Sequence, residues 1–220
     1  MFDLKKTILD LIFPIYCLEC RQVGAWVCRR CFEDIKSCAK WQENFLDNQH
    51  LSQVWSLFDY HQPIIAKILH AYKYEFITDL EKIISDILSQ AVLSQDFAKQ
   101  IKPEFVDLIC PVPLSKKRRR WRGFNQSEIL AEVVAKSFNL PVSDDILNRK
   151  FHTRAQVGLP AKLREINIKG IFQANSFSVL EKRILLVDDV LTTGATMKEC
   201  ARVLKEAGAK EVIGLVFAKG

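Results

Sequence analysis

The segment ILLVDDVLTTGAT, residues 184–196, constrains the fold more than any other part of the chain. Its first four residues are uniformly apolar, which is typical of a parallel strand that is covered on both faces. Asp188 and Asp189 follow, and beyond a short turn apolar side chains recur at helical spacing from Met197 onward. The segment therefore predicts a strand, a turn and a helix, with both acids at the carboxyl end of the strand, where open α/β sheets bind their ligands.

The turn after the two acids has the composition of a phosphate site. The free N–H groups of a helix N-terminus bind phosphate, and a glycine lets the backbone approach closely. The carboxylates would accept hydrogen bonds from neighbouring hydroxyls or act through a divalent cation. A diol near a phosphate describes a 5-phosphoribosyl group, which we infer as the ligand; an acidic turn of purely structural origin is the alternative. The turn contains Thr192, Thr193, Gly194, Ala195 and Thr196.

The rest of the chain predicts alternating strands and helices, hence an α/β fold with a parallel sheet and helices on both faces. A polar stretch at residues 42–53 predicts a linker, and residues 144–175 are predicted to be irregular with short strand-like pieces. Strands are predicted at 54–60, 105–113, 183–188 and 211–217. Helices are predicted at 63–74, 77–99, 126–139 and 196–207. Neither a Walker A loop nor a dinucleotide fingerprint occurs in the sequence.

Residues 116–122 are strongly basic, with six cations in seven positions. They are predicted to form a loop between the strand at 105–113 and the helix at 126–139. If that strand lies beside residues 184–187, the loop lies at the same sheet edge as the two acids. Their cations would then neutralise a pyrophosphate together with Mg²⁺. A basic stretch with an aromatic residue also suits single-stranded nucleic acid, and a solvated surface loop is a third interpretation. The nucleic-acid candidates are Lys116, Lys117, Arg118, Arg119, Arg120 and Trp121.

Two C-x2-C pairs near the N-terminus are separated by seven residues. Each pair can present two thiolates to one tetrahedral ion, and four thiolates suit structural Zn²⁺. Two disulfides or four free thiols are the alternatives. Because residues 1–40 are too few to build a core, a metal would supply the missing stability. The predicted ligands are Cys17, Cys20, Cys28 and Cys31, whereas Cys38, Cys110 and Cys200 lie outside the pattern.

No run of about 18 uncharged apolar residues occurs, so the sequence predicts no transmembrane span. Asp10 interrupts the apolar run at the N-terminus, and no small-residue cleavage site of a signal peptide follows it. Leu4, Ile8, Leu11 and Ile12 instead fall at helical spacing, which predicts an amphipathic N-terminal helix in a cytoplasmic protein. The net charge of +6 favours anionic ligands.

Residues 184–196 resemble the thirteen-residue signature of type I phosphoribosyltransferases. By that resemblance Asp188 and Asp189 hold the ribose 2- and 3-hydroxyls of phosphoribosyl pyrophosphate (PRPP), and residues 192–196 hold its 5-phosphate. The resemblance implies a parallel-sheet type I phosphoribosyltransferase fold with a small N-terminal zinc-binding module. The expected organisation is an N-terminal helix and zinc finger at 1–40, a connecting strand and helices at 41–104, and a phosphoribosyltransferase-like domain at 105–220.

Over nearly all of its length the chain resembles the ComF family of competence proteins. The resemblance includes the N-terminal four-cysteine finger and several short motifs. These are Ala71-Tyr72-Lys73-Tyr74, Pro111-Val112-Pro113, Arg122-Gly123-Phe124-Asn125-Gln126, residues 153–156 and 164–167, Gly170 and Phe172. Glu75 and Phe76 stand where the family usually has one residue and then a glycine. The resemblance implies a hood loop over PRPP at residues 150–170, for which ordinary polar hairpin residues are the alternative. The pyrophosphate and hood candidates are Lys73, Pro113, Arg122, Gly123, Asn125, Gln126, Gln156 and Arg164.

Members of the ComF family are associated with natural transformation, the uptake of single-stranded DNA. The resemblance implies a protein that binds PRPP and Mg²⁺ and handles incoming single-stranded DNA, with competence-machinery proteins as further partners. A phosphoribosyltransferase acting on a nitrogen acceptor and a PRPP-sensing regulator are the alternatives. No catalytic residue is assigned. No nucleobase-selecting segment follows the last predicted strand, which favours the first function over a salvage enzyme.

Overall fold

The computed structural model describes residues 13–150 and 168–220, and a five-stranded sheet lies at its centre. The strands along the chain are β1 (Gln42–Glu43), β2 (Gln53–Asp59), β3 (Leu108–Pro111), β4 (Leu147–Arg149), β5 (Phe172–Ala174), β6 (Arg183–Leu191) and β7 (Glu211–Lys219). The order in the central sheet is β1-β2-β7-β6-β3, and β4 and β5 form a separate antiparallel pair. β1 is antiparallel to β2, and the other neighbours in the central sheet are parallel.

Eight helices accompany these strands in the described residues. They are α1 (Arg29–Cys38), α2 (Pro63–Tyr74), α3 (Leu80–Val92), α4 (Gln95–Ile101), α5 (Lys116–Arg122), α6 (Gln126–Phe138), α7 (Ser176–Val179) and α8 (Ala195–Glu206), with a 3₁₀ turn at Pro103–Phe105. The helix predicted at 63–74 is confirmed, with its proline at the start, where a missing N–H costs no hydrogen bond.

The helices cover both faces of the sheet, as the sequence predicts. Leu185 and Val187 of β6 point into one apolar cluster, which is completed by α2, α3 and α6. Ile184 and Leu186 point into a second cluster with α8 and the β4–β5 pair. This alternation follows from the two-residue period of a strand, and it explains why residues 184–187 are all apolar.

Two helical predictions were wrong in detail. The single helix predicted at 77–99 is two helices, because the chain turns after Leu93 and the Ser94 hydroxyl accepts a hydrogen bond from the Phe97 N–H. The basic residues 116–122 were interpreted as a loop but form α5. Ser115 caps its N-terminus by accepting from the Arg118 N–H, and Gly123 ends it with φ +83°.

The polar stretch at 42–53 was predicted to be a linker, but it begins as a strand and packs on the sheet. Asn44 is 5% exposed, and its amide donates to the Ser56 hydroxyl at 2.9 Å. Polarity there reflects this buried hydrogen bonding rather than full solvation.

In the part of the chain that the structure describes, no helix has both the length and the apolarity needed to cross a bilayer. The predicted N-terminal helix with Leu4, Ile8, Leu11 and Ile12 lies outside the described residues.

Candidate functional site

The two adjacent acids lie on β6 at the edge of the sheet where parallel strands end. The strand continues past them to Leu191, and Asp188 pairs with Val216 of β7. The Ser127 hydroxyl donates to Asp188 Oδ1 at 2.8 Å, and the Asp189 N–H donates to the same oxygen at 2.8 Å. Helices α2 and α6 therefore both contribute side chains to this edge, because Lys73 Nζ lies 2.8 Å from Asp189 Oδ2.

The surroundings of Asp188 disfavour its charged form. Burial and the neighbouring Asp189 carboxylate raise the pKa of Asp188 to about 7, although the Ser127 hydroxyl, the Asp189 N–H and Lys73 oppose the rise. Two adjacent carboxylates share one ammonium and one hydroxyl here. Such an edge favours a ligand that brings hydroxyl donors or a divalent cation, which is the chemistry expected from the sequence.

The turn that follows β6 delivers the chain to the N-terminus of α8. Gly194 is the N-cap residue of α8 and has φ +75°. It makes no side-chain capping hydrogen bond to the helix. The Thr193 hydroxyl accepts from the Ala195 N–H at 3.3 Å. Thr192 is exposed, and Thr193 and Thr196 are half-buried. Residues 192–196 thus connect the end of β6 to the first turn of α8, a short distance along the chain from the two acids.

The end of β3 brings a second group of predicted residues to the same edge. Pro111 pairs with Val187, and the Val112 N–H donates to the Val187 carbonyl at 2.8 Å. The Asn125 side chain donates to the Val112 carbonyl at 3.1 Å, and its oxygen caps α6 by accepting from the Ser127 N–H. Asn125 thus fixes the start of α6, which carries Gln126 and Ser127 beside the acids. Pro113 and Gly123 lie on the connection between β3 and α6.

Arg122 is enclosed rather than open. Its guanidinium is 8% exposed, donates to the Gln126 side-chain oxygen at 3.0 Å and lies 5.2 Å from the centre of the Tyr74 ring. Among the described residues, Arg122 Nε and Gln126 Nε2 are buried without a hydrogen-bond partner. Two unpaired buried donors near the acids are costly unless something accepts from them.

The basic helix α5 presents most of its cations to solvent. The Lys116, Lys117, Arg118, Arg119 and Arg120 side chains are exposed, and Trp121 is 54% exposed. Arg119 forms an ion pair with Glu128 at the start of α6. The helix therefore forms a positive surface directly before the residues that reach the acids.

Two of the predicted hood residues, Gln156 and Arg164, lie outside the described residues, as do Thr153 and Asn167. Sequence reasoning missed Ser127, which supplies the hydroxyl to Asp188. Ser127 lies in the first turn of α6, the helix that follows β3, and β3 pairs with β6. This position could have indicated a residue near the acids.

The four cysteines of the N-terminal pattern converge. The sulfur atoms of Cys17, Cys20, Cys28 and Cys31 all lie within 4.8 Å of one another. A tetrahedral Zn²⁺ with sulfur ligands at about 2.3 Å separates its sulfurs by roughly 3.8 Å, so this set fits the ion. Cys20 Sγ and Cys28 Sγ are 3.5 Å apart, and none of the four is in a disulfide. The donor set therefore favours the structural metal over the disulfide alternative.

The cysteines differ in their protonation. Burial raises the pKa of Cys17, but the N–H groups of Cys28, Cys20 and Glu19 outweigh this effect and lower the pKa to about 6. Burial and then the neighbouring sulfurs raise the pKa of Cys31 to about 12. A bound Zn²⁺ would stabilise all four cysteines as thiolates, because a metal ligand must be deprotonated.

The cysteine module packs against the main fold. Cys17, Cys28, Cys31 and Ile35 belong to the same apolar cluster as α2 and α3. On the surface, Lys67 of α2 forms an ion pair with Glu19 between the first two cysteines at 2.8 Å. The module is thus an integral part of the core on that face of the sheet.

Comparison with known proteins agrees with this architecture. Residues 125–220 match the family described as Phosphoribosyl transferase domain. Competence protein F of Haemophilus influenzae is 28% identical over 204 residues, which cover 91% of this chain and 82% of that protein. DNA utilization protein YhgH of Salmonella typhimurium is 31% identical over 157 residues, covering 71% and 67%. Competence protein ComFC of Bacillus subtilis is 31% identical over 173 residues, covering 79% and 66%. Each alignment is longer than the matched domain, so the likeness extends to residues before 125.

Proposed function

Because the chain belongs to the ComF family and has the phosphoribosyltransferase fold, we propose that it binds PRPP with Mg²⁺ and handles single-stranded DNA during natural transformation. The proposal places this work in the cytoplasm. Relatives named as competence and DNA utilization proteins support the DNA part of the proposal.

The observation that carries the PRPP proposal is the single strand–turn–helix unit of β6 and α8. Asp188 and Asp189 follow the four buried residues 184–187 of the strand, and the turn at residues 192–196 opens α8 only a few residues later. In this proposal the carboxylates accept hydrogen bonds from the ribose 2- and 3-hydroxyls. The backbone N–H groups and threonine hydroxyls of the turn bind the 5-phosphate.

Mg²⁺ suits the same edge, because carboxylate oxygens are ligands that it prefers. When bound, the ion would neutralise the pyrophosphate and the acids together. The protein groups proposed to contact pyrophosphate or to close over the ligand are Lys73, Pro113, Arg122, Gly123, Asn125, Gln126, Gln156 and Arg164. Lys73 supports this proposal best, since its ammonium already reaches Asp189 at 2.8 Å.

The positive surface of α5 supports the proposed DNA binding. Lys117, Arg118 and Arg120 of this helix are exposed to solvent, where the phosphates of a strand can approach them. Phosphate neutralisation makes such binding strongly dependent on salt. The zinc module is proposed to have a structural role, because it shares a core with α2 and α3.

The experiment that tests the PRPP proposal is titration calorimetry of the zinc-loaded protein with PRPP and Mg²⁺. Asp188→Asn with Asp189→Asn is expected to lose binding by at least a hundredfold, because both proposed ribose acceptors become weaker and uncharged. The chain offers a matched control in a second adjacent pair, Asp144→Asn with Asp145→Asn, which is exposed before β4. Equal affinity in the two double variants would overturn the assignment of the site.

The DNA part is tested by fluorescence anisotropy of a labelled single-stranded oligonucleotide at several salt concentrations. Arg118→Ala with Arg120→Ala is expected to weaken binding and to lower the magnitude of the slope of log K against log salt by about 1.4. A strand that fails to bind even at low salt would remove the DNA function and leave the PRPP proposal standing.

A second candidate function is transfer of the phosphoribosyl group to a nitrogen acceptor. The match to a phosphoribosyltransferase domain and the presence of both acids beside a complete turn favour it. Such enzymes work mainly by positioning and by stabilising charge, so no dedicated base is needed. Release of pyrophosphate from PRPP on addition of candidate acceptors, absent in the Asp188→Asn and Asp189→Asn double variant, would support it.

A third candidate is PRPP sensing. Helix α2 pairs with the acids through Lys73 at its end and with the cysteine module through Lys67. Ligand binding at Asp189 could therefore reach the module through one rigid helix. Slower hydrogen exchange of residues 17–31 on addition of PRPP and Mg²⁺ would favour this function, and unchanged exchange would count against it.

A further inference from the structure

An exposed group of aromatic rings lies beside the proposed PRPP site without belonging to it. Tyr74, Phe76 and Trp121 are 49%, 41% and 54% exposed. The Phe76 and Trp121 rings meet edge to face with centroids 5.0 Å apart, and the Tyr74 and Trp121 centroids are 6.1 Å apart. These three side chains, from the end of α2 and from α5, are called here the aromatic platform.

Folding alone does not account for this platform. Three large rings gathered at the surface leave apolar area in water, which is uncommon away from binding surfaces. Phe76 in addition has φ +56°, a backbone conformation that suits glycine and disfavours a residue with a side chain. An aromatic ring therefore occupies a position where glycine would be less strained.

The neighbours of the platform show which partner it suits. The Arg122 guanidinium lies 5.2 Å from the centre of the Tyr74 ring, and Gln126 holds it in place. The exposed cations of α5 continue the positive charge on one side. A partner that matches both features must carry regularly spaced negative charge and flat faces that can stack. Single-stranded nucleic acid has both, whereas a duplex hides the faces of its bases and an acidic peptide has few flat groups.

We propose that Tyr74, Phe76 and Trp121 stack the unpaired bases of a single nucleic-acid strand whose phosphates lie along the exposed cations of α5. This inference rests on the DNA-handling function proposed above and gives it a second contact surface. Stacking of bases on aromatic side chains tolerates any sequence, because every base has a flat face. The platform therefore predicts a strand binder with little base preference.

The position of the platform joins the strand to the proposed PRPP site. Tyr74 follows Lys73, which pairs with Asp189. On the other side Arg122 contacts Gln126, and the next residue, Ser127, donates to Asp188. A base on the platform would thus lie beside Arg122 and next to Lys73, the residue that pairs with Asp189.

The test separates stacking from charge. Anisotropy is measured for the full zinc-loaded chain with a labelled twelve-residue thymidine strand and with an abasic strand of the same length and charge. The wild-type protein is expected to bind the thymidine strand more tightly than the abasic strand, by about tenfold for each stacked base. Phe76→Gly with Trp121→Ala is expected to reduce thymidine-strand affinity to near the abasic value and to leave abasic affinity unchanged.

Two controls keep this test interpretable. Phe177→Ala removes a ring that is 97% exposed elsewhere on the surface, and it is expected to change neither affinity. Phe76→Gly is expected to fold well, because glycine suits φ +56°, and a thermal melt checks this. Quenching of Trp121 emission by the thymidine strand, measured as the difference between the wild type and Trp121→Ala, is expected from direct stacking.

The outcomes distinguish the two levels of proposal. A wild-type protein that binds both strands equally would overturn the platform and leave the DNA function intact. A protein that binds neither strand at low salt would remove the DNA function itself. A double variant that loses affinity for both strands in equal measure would also overturn stacking, since the effect would then not depend on bases.

Discussion

Lys73 Nζ lies 2.8 Å from Asp189 Oδ2, so an ion pair joins the last turn of α2 to the acid pair on β6. The two side chains are 13% and 16% exposed, which places the pair in partial shelter from solvent. Because Asp188 is the immediate neighbour of Asp189, one ammonium serves two carboxyl groups. The Lys73 ammonium therefore partly neutralises the two acids at the place where the proposed ligand would bring Mg²⁺.

Removing that ammonium is expected to destabilise the protein. Lys73→Met leaves Asp189 partly buried without its partner, and the free energy of unfolding at pH 7 should fall by about 2 kcal/mol. Urea unfolding measures the change. Lys67→Met on the same helix is the control, because its ion pair with Glu19 is exposed and should contribute less than about 1 kcal/mol. Similar losses in both variants would show that the pair at Asp189 has no special role.

The pH dependence of stability should report on Asp188. Its pKa is raised from 3.8 to about 7, first by burial and then by the Asp189 carboxylate. The folded state then binds more protons than the unfolded state between about pH 4 and pH 7, so this group makes stability fall as pH rises through that window. Asp188→Asn has no such titration and should show a flatter profile, with stability equal to or above that of the wild type at pH 8.

Urea unfolding of both proteins at pH 5, 6, 7 and 8 measures this difference, since other titrating groups are common to the two. Mg²⁺ favours the charged carboxylate, so adding it should flatten the wild-type profile and leave Asp188→Asn unchanged. Parallel profiles for the two proteins without Mg²⁺ would contradict the raised pKa.

The strand–turn–helix unit could be predicted from the sequence because local rules decide it. Residues 184–187 are apolar on both faces, two acids follow, and a glycine opens an amphipathic helix; the structure has β6, the turn and α8 in that order. The pairing of the strand at 105–113 with β6 was a condition of the argument from sequence rather than a prediction, and the structure shows that pairing.

The contacts that complete the site depend on tertiary packing, and they could not be predicted from the sequence. Ser127 reaches Asp188 only because Asn125 ties the start of α6 to the end of β3. The basic run was interpreted as a loop because its charge was considered before its ends. Ser115 and Gly123 cap the two ends of this seven-residue helix, and their capping outweighs the repulsion among the cations.

Metal content should follow the four-cysteine cluster and no other thiol. Cys20→Ser removes one of four sulfurs within 4.8 Å, and metal analysis should find no bound zinc, against one per chain in the wild type. Because the module shares a core with α2 and α3, the variant should also melt several degrees lower. Cys38→Ser changes an exposed thiol at the end of α1 and should retain both the zinc and the melting temperature. A folded wild-type protein without zinc would contradict the prediction.

The turn before α8 should be sensitive to a single methyl group. Gly194 has φ +75°, and a Cβ there would lie 3.0 Å from both terminal carbons of Leu46. Gly123 has φ +83° with no atom within 4 Å of its Cβ position. Gly194→Ala and Gly123→Ala should share a backbone cost of about 1 kcal/mol, and Gly194→Ala should lose more because of Leu46. Urea unfolding of the two variants checks the order, and equal losses would mean that Leu46 moves aside freely.

A buried acid on α8 should control the segment that leads into β5. Glu199 is 7% exposed, accepts from the Gly170 N–H at 2.6 Å and pairs with Arg202 at 2.7 Å. Burial raises the pKa of Glu199, but the hydrogen bonds from Arg202 and from the Gly170 N–H outweigh it and lower the pKa below its ordinary value. The charged Glu199 carboxylate thus stabilises the folded state at pH values above its unfolded pKa. This stabilisation is lost as the pH falls through the lowered pKa of the folded state.

Glu199→Ala should therefore leave the Gly170 N–H without its acceptor and Arg202 with Glu206 as its remaining partner, and stability at pH 7 should fall by about 2 kcal/mol. Hydrogen exchange at Gly170 should become faster by at least tenfold. Glu206→Ala removes the exposed acid that pairs with the same Arg202, and it should cost less than about 1 kcal/mol and leave exchange at Gly170 unchanged. Because α8 also begins at the proposed phosphate turn, faster exchange at Gly170 together with weaker PRPP binding in Glu199→Ala would show that this contact supports the site. Faster exchange with unchanged PRPP affinity would confine its role to stability.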